Sequence, residues 1–376
     1  MERQLERRRE PEPVQYDRYM EDMWLVMKSE RDRIASLPHV LKFNEMPWRQ
    51  AAQCYWKHYV GYLPNERFKL APLSGMTVSE QLLFRGSKSG KHRHFNEAVL
   101  FIVRGEGYEI HDDVKYPFEA GDIVSVPTFC VHQHFNAVQE TDVQVFFATA
   151  APVCHLLGIQ STEQLEMHPN YKFPEGAKPI NGPDGKAIGY RSAEGVEIRF
   201  GERNTQLQKA LESRQASRFT GEVTNTYDWY RKTLTEQVDW RSSPTVPHVV
   251  KAKDRPWEDT PMGRLKYLSH ATVPSGLLLF DVFYQEIPPG GHSAKHRHVS
   301  EEVHKTLDGR GYDIHDGNRW DWEKEDVVFI PPNTTHQHFN ADPHKSALFL
   351  AFQSRTYYYL GHGGIEHMED ASSWKG

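Results

Sequence analysis

Cysteine is scarce: Cys54, Cys130 and Cys154 are the only three in 376 residues. An odd, sparse set argues against a disulfide scaffold and for a reducing interior. No apolar run is long enough to span a bilayer, and the opening stretch MERQLERRREPEPVQYDRYM has no apolar centre of the kind a signal peptide needs. A cytoplasmic protein with no membrane partner is therefore expected, its charged start reading as a solvated arm. Neither sign of charge dominates: 45 Lys and Arg against 51 Asp and Glu give a net charge of −6, mixed along the chain, with no basic face for nucleic acid. No P-loop or dinucleotide context accompanies the glycines, which leaves Gly105 and Gly107 to a hairpin turn. Helical periodicity is also scarce, confined to residues around 12–60 and about 203–240.

What the chain does have is a duplication. HQHFNA stands at 132–137 and again at 336–341, HRH at 92–94 and 296–298, and GEGYEIHD at 105–112 matches GRGYDIHD at 309–316. All three pairs keep one offset of 204 residues without a gap, which marks two homologous domains. Within each copy, branched and aromatic runs such as AVLFIVR, DIVSVP and VQVFFATA are short and are separated by Gly, Asp and Pro. That pattern predicts antiparallel strands closing into two β-barrel or jelly-roll units. The expected layout is a helical N-terminal cap over 1–65, a first barrel over 66–160, a linker with a helical segment over 161–260, and a second barrel over 261–376. The segment LEMHPNYKFPEGAKPINGPDGKAIGY reads as irregular structure. The aromatic-rich stretches WRQAAQCYWKHYVGYLP and SRTYYYLG suit either a barrel cap or a subunit contact.

His92 and His94 are two residues apart, so on a strand they point to one side. A third histidine from a strand about 40 residues on, His132, can converge with them inside a barrel; His296, His298 and His336 repeat the set, and Glu302 shares their strand parity where the first copy has Ala98. An isolated HxH is often only a surface pair. Recurrence in register of the pair, the later histidine and the intervening turn favours metal ligation, by nitrogen and oxygen donors suited to Fe(II), Mn, Zn, Ni or Cu rather than magnesium.

These residues resemble the two-part signature of the cupin superfamily, G-x5-H-x-H-x3-E-x6-G followed by G-x5-P-x-G-x2-H-x3-N. The first copy matches through Gly86, His92, His94, Gly105, Gly121, Pro127, His132 and Asn136, and the second through Gly290, His296, His298, Glu302, Gly309, Pro331, His336 and Asn340. It departs at Ala98, at Cys130 and Asn333 where a glycine is expected before the third histidine, and at Glu325–Asp326 where a glycine opens the second block. The resemblance implies an all-β core of two tandem cupin domains with helical N-terminal and interdomain segments. HRHFNEAVLFIVRGEG with PTFCVHQH further resembles the N-terminal cupin of the gentisate 1,2-dioxygenase family, whose relatives open salicylate-type rings.

That resemblance implies a metal-dependent, ring-cleaving dioxygenase. It would bind Fe(II) through His92, His94 and His132 and add O2 to a hydroxylated or aminated aromatic carboxylate. Three neutral ligands leave coordination positions for a chelating substrate and for O2, and a fourth ligand at position 98 would crowd them. His134 shares strand parity with His132 and can act as an acid–base group or be a satisfied structural histidine. Arg85 and Arg104 are candidates for gripping a carboxylate, against the plain reading of surface arginines. Asn136 most simply serves a turn.

The second set, His296, His298, Glu302 and His336, resembles that of manganese oxalate decarboxylases, so a decarboxylase or oxidase working there is the alternative, followed by a non-catalytic ligand-binding bicupin. His304 and His338 make the second cavity look polar, and a second metal is expected there. Homo-oligomerisation is expected from the family.

Overall fold

The computed structural model describes residues 18–61, 75–185, 187–201, 205–241, 243 and 245–376. The expected solvated arm lies outside them through residue 17, as do residues 62–64 of the first aromatic stretch. Helix Tyr19–Ala35 belongs to a separate unit, Met1–Leu37, and the rest of the chain forms a second unit, Pro38–Gly376. Among the described residues no helix is long and apolar enough to cross a membrane.

Each half of the second unit is a seven-stranded sheet facing a five-stranded one. In the first half the larger sheet runs, in spatial order, Val249–Val250, Ile123–Val126, Ala98–Arg104, Val143–Thr149, Thr77–Leu83, Tyr55–Val60 and Arg49–Gln50. The smaller runs Thr162–Gln164, His92–His94, His132–Asn136, Glu106–His111 and Val114–Glu119. The second half repeats the plan, with His296 paired to His336 as His92 is paired to His132.

The sequence run AVLFIVR shows why such strands form. Ala98, Leu100 and Ile102 point into the barrel against Val126, Val145 and Phe147, while Val99 and Phe101 on the other face are buried too. A strand covered on both faces reads as a continuous apolar run rather than an alternating one. The outer cover is the opposite half: Phe101 meets Tyr284 edge-on at 5.7 Å and Phe146 stacks on Phe352 at 5.2 Å. Fully burying one such ring contributes about 2–3 kcal/mol.

Two short arms cross this seam. Val40–Leu41 pairs with Val327–Ile330 of the second half, and Val249–Val250 pairs with Ile123–Val126 of the first. Each arm is the segment just before one barrel, docked on the other. They carry a further repeat, PHVLK at 38–42 and PHVVK at 247–251, offset by 209 residues. Each arm lysine reaches a buried aspartate: Lys42 to Asp326 at 2.7 Å and Lys251 to Asp122 at 2.6 Å.

Residues 40–60, expected with the helical cap, are therefore strands joined by a 3₁₀ turn, Phe43–Glu45. The linker does contain helices, Thr205–Ala216 and Thr226–Arg241. The stretch expected as irregular instead carries two strands of a three-stranded meander, Lys178–Asn181 and Ala187–Arg191, with Glu197–Arg199 as the third.

Backbone demands explain several motif residues. Asp112 and Asp113 have φ of 44° and 71° at the hairpin that follows GEGYEIH, the left-handed pair that a two-residue turn requires. Gly107 serves a close approach rather than the turn, since a Cβ there would stand 2.0 Å from the Phe135 carbonyl oxygen. The left-handed position before the third histidine is Phe129 (φ 67°), one residue ahead of Cys130, and Asn333 (φ 61°) in the second copy. Asn136 serves its turn as expected: its Oδ1 accepts from the Val138 N–H, and its Nδ2 donates to the carbonyls of Leu83, Phe84 and Thr141.

Candidate metal centres

Strand pairing brings the first three histidines together. His92 and His94 lie on one strand, His132 is the cross-strand partner of His92, and one ligand nitrogen from each falls within 4.8 Å of the others. Their Nδ1 atoms face backbone carbonyls: Gly90 at 3.1 Å, Asn96 at 2.7 Å and Cys130 at 3.0 Å. A carbonyl only accepts, so each Nδ1 carries the proton and each Nε2 presents a lone pair to the cavity, the arrangement that orients a metal-binding imidazole. Burial keeps the rings neutral. It pushes His92 down to about 3 and His94 to about 4, and holds His132 well below the ordinary histidine value, with neighbouring imidazoles adding to the effect.

The second triad repeats this. Ligand nitrogens of His296, His298 and His336 lie within 4.8 Å of one another, with Nδ1 atoms on the carbonyls of Ala294 at 3.3 Å, Ser300 at 2.6 Å and Thr334 at 2.9 Å. His336 Nε2 is buried without a hydrogen-bond partner, and His298 Nε2 lies 3.0 Å from Glu302 Oε2 without hydrogen-bond geometry. Orphaned buried nitrogens aimed at one point are costly unless a ligand takes their lone pairs. Both donor sets thus fit a divalent transition metal.

Glu302 sits beside the second triad, in contact with His304 and accepting from Gln353 Nε2 at 2.9 Å. Burial alone would raise its carboxyl, but the His304 and His298 imidazoles outweigh this and hold it well below the usual carboxylate range. At the matching place in the first half, Ala98 presents only a methyl group to the cavity.

The two cavities differ. The first, about 230 Å³, is lined by Ala98, Leu100, Trp56, Phe147, His58 and His134, with amides from Gln53, Gln81, Asn96 and Gln160. The second, about 420 Å³, holds Glu302, His338, Tyr267, Asp281 and Gln353. Arg85 and Arg104 line neither. Arg85 is 62% exposed and pairs with Asp142 at 3.7 Å, and Arg104 is exposed at the end of its strand. Strand parity identified the facing histidines, but much of the polar wall of the first cavity comes from Gln53, His58, Gln160 and Thr162, and from Thr77, Ser79 and Gln81 of the strand Thr77–Leu83.

Residues 81–149 and 283–352 match the family described as Cupin domain. The chain is a bicupin. This bicupin is 30% identical over 87 residues to 5-aminosalicylate 1,2-dioxygenase of Comamonas sp, a stretch covering 23% of each chain. It is 37% identical over 67 residues to gentisate 1,2-dioxygenase of Ralstonia sp, covering 18% of this chain and 19% of that one. These alignments thus span less than a quarter of either relative. In structure, it superposes on salicylate 1,2-dioxygenase of Pseudoaminobacter salicylatoxidans with a TM-score of 0.55 at 13% identity, over 95% of this chain and 96% of that one. A deletion mutant of Bacillus subtilis oxalate decarboxylase gives 0.53 at 11% identity, over 88% and 80%. At such identities the likeness establishes the fold and does not choose between reactions.

Proposed function

We propose that this bicupin is an Fe(II)-dependent dioxygenase that adds O2 to a hydroxylated or aminated aromatic carboxylate and opens its ring, working at the His92–His94–His132 site. The supporting observation is the pairing of three neutral imidazoles with Ala98: the donor set stops at three, and the remaining face opens onto a cavity walled by Trp56 and Phe147. At about 230 Å³ that cavity is below the ~300 Å³ at the lower end of typical ligand pockets, which suits a single ring. Bound iron would supply Lewis acidity and a meeting place for substrate oxygens and O2.

The protein's own groups do the rest. Trp56 and Phe147, packed edge-on against each other at 5.5 Å, form one apolar wall for a flat substrate, and the amides of Gln53, Gln81 and Gln160 offer hydrogen bonds to its polar substituents. His134, its Nδ1 engaged by Glu109, turns Nε2 to the cavity as an acceptor for a substrate hydroxyl proton. The test is an oxygen-electrode screen of aromatic acids with iron-reconstituted protein. Oxygen uptake matching substrate loss one to one, abolished in His92→Ala, is the expected result; full activity in that variant refutes the assignment.

One observation favours a second reading. Glu302, with Oε2 3.0 Å from His298 Nε2, would add a carboxylate donor to the second triad, which suits a manganese decarboxylase. Carbon dioxide released from oxalate without net oxygen consumption, and lost in His336→Ala, would move the chemistry there.

A further inference from the structure

Behind each triad runs a chain of side chains that ends on an arm from across the seam. In the second half, His338 Nδ1 lies 2.7 Å from Asp313 Oδ2, which is 3.2 Å from His315 Nε2, and His315 Nδ1 lies 2.7 Å from His39 Nδ1. In the first half, His134 Nδ1 contacts Glu109 Oε1, and Glu109 Oε2 faces His111 Nε2 at 3.6 Å. His111 Nδ1 then lies 2.6 Å from His248 Nδ1. His39 and His248 are the histidines of PHVLK and PHVVK, and each ring is stacked on an aromatic of the half it visits: Trp320 at 4.7 Å and Tyr116 at 4.5 Å.

The proton positions follow from the carboxylate. An ionised carboxylate only accepts, so both imidazoles that face it must donate. His134 and His338 donate from Nδ1, leaving Nε2 as a lone pair. His315 donates from Nε2; His111 turns its Nε2–H to Glu109 Oε2 at 3.6 Å, too long for a hydrogen bond, with no other partner for either atom; both rings are left with Nδ1 as an acceptor. A nitrogen pair 2.6–2.7 Å apart needs one donor, and the arm histidine is the only one left to supply it.

We propose that His248 and His39 are positioning residues: each arm histidine, by donating its Nδ1 proton to His111 or His315, holds that ring with its Nε2–H turned to the carboxylate, and so keeps Glu109 or Asp313 ionised and aimed at the Nδ1–H of His134 or His338, whose Nε2 then faces the metal cavity as an acceptor. Each site is thereby completed by the segment preceding the opposite barrel. Burial supports the neutral arm histidine that this requires, pushing His39 and His248 down to about 4. Burial alone would raise the Glu109 carboxyl; the neighbouring His134 and His111 outweigh it and keep it below its ordinary value. A buried polar chain of this length is expensive unless every member is oriented, and its occurrence twice, with Glu in one copy and Asp in the other, points to the arrangement rather than to one side chain.

The test reads tautomers, so it does not depend on the dioxygenase reading; only its effect on turnover does. In metal-free protein labelled with ¹⁵N-histidine, His134 is expected as the pure Nδ1–H form. His248→Phe, which keeps an aromatic ring for the stack but removes the donor, converts His111 and His134 to mixtures. His248→Asn, whose amide N–H replaces the lost donor, restores them. His39→Phe moves His338 and leaves His134 alone. An unchanged His134 in His248→Phe overturns the proposal, as does either variant disturbing both sites equally. With iron and an accepted substrate, His248→Phe should lower kcat about 10- to 100-fold at similar KM, with recovery in His248→Asn. Tautomer changes without turnover on any aromatic acid would sustain the positioning role and overturn the dioxygenase reading instead.

Discussion

Ala98 and Glu302 occupy equivalent positions on equivalent strands, and the difference between them was readable directly from the repeat. Ala98→Glu would add a carboxylate beside three neutral imidazoles. The expected outcome is slower metal loss to a chelator and at least about a 100-fold fall in oxygen-dependent turnover, because the added ligand occupies the face that substrate needs; both are measured on the same reconstituted sample. His134 was readable by parity, but its partner was not. Glu109 faces it only because cross-strand register sets His134 opposite Glu109 and His132 opposite His111, and register is a non-local property. Arg85 and Arg104 were candidates for their guanidinium groups alone; Arg85 stands in the turn after Thr77–Leu83 and Arg104 at the exposed end of Ala98–Arg104, and neither lines either cavity. Gly311 makes a sharper residue-scale test. A Cβ there would stand 1.9 Å from the Phe339 carbonyl oxygen, so Gly311→Ala should destabilise by about 3 kcal/mol or more in chemical denaturation.

At the scale of elements, the histidine-bearing strands came through because duplication marked them twice. The arms did not. Their strands are two residues long and lie far in sequence from their partners, so local periodicity carries no trace of them; the repeat PHV(L/V)K was the available signal. The strand Tyr55–Val60 does alternate, with Lys57 and Tyr59 buried on one side and Trp56 and His58 toward the cavity, but its aromatic density suits a barrel cap and a subunit contact equally and points to no cavity wall. Arm docking can be tested through Asp122. Its buried carboxylate takes Lys251 at 2.6 Å and the N–H of Glu119 at 2.8 Å, whereas the Lys251 side chain is 28% exposed. Asp122→Ala leaves a buried donor unsatisfied and should cost about 2–3 kcal/mol, whereas Lys251→Ala, removing the wetter partner, should cost less because water enters to solvate the acid. Reversal of that order in denaturant melts would show that the arm is held by its strand pairing alone.

At the scale of the whole molecule, the two halves share one buried seam and distribute the burden of buried histidines between them. At the seam, Glu97 accepts the N–H groups of Leu278 and Leu279 at 2.9 Å, and Glu301 accepts that of Gly75 at 2.5 Å, so the residue beside each position 98 or 302 clamps the other half. Acid that loosens one triad will therefore strain both. His92 and His296 are held at about 3 and His94 at about 4, with His132 and His336 well below the ordinary value, burial being the first cause in each. In the unfolded chain these rings take up protons near ~6.5. Between that value and the folded ones the unfolded state binds more protons, so stability rises with pH and is lost as pH falls through the window. Each ring costs about 1.4 kcal/mol per pH unit below ~6.5. Chelator-treated protein should therefore lose denaturation midpoint steeply between about pH 6.5 and 4, in one cooperative step. His92→Gln combined with His296→Gln should flatten that slope by about two protons, read from midpoints at several pH values. A slope left unchanged by the double variant would mean that the triads are already protonated in the folded metal-free state, and that burial does not keep them ready for a metal.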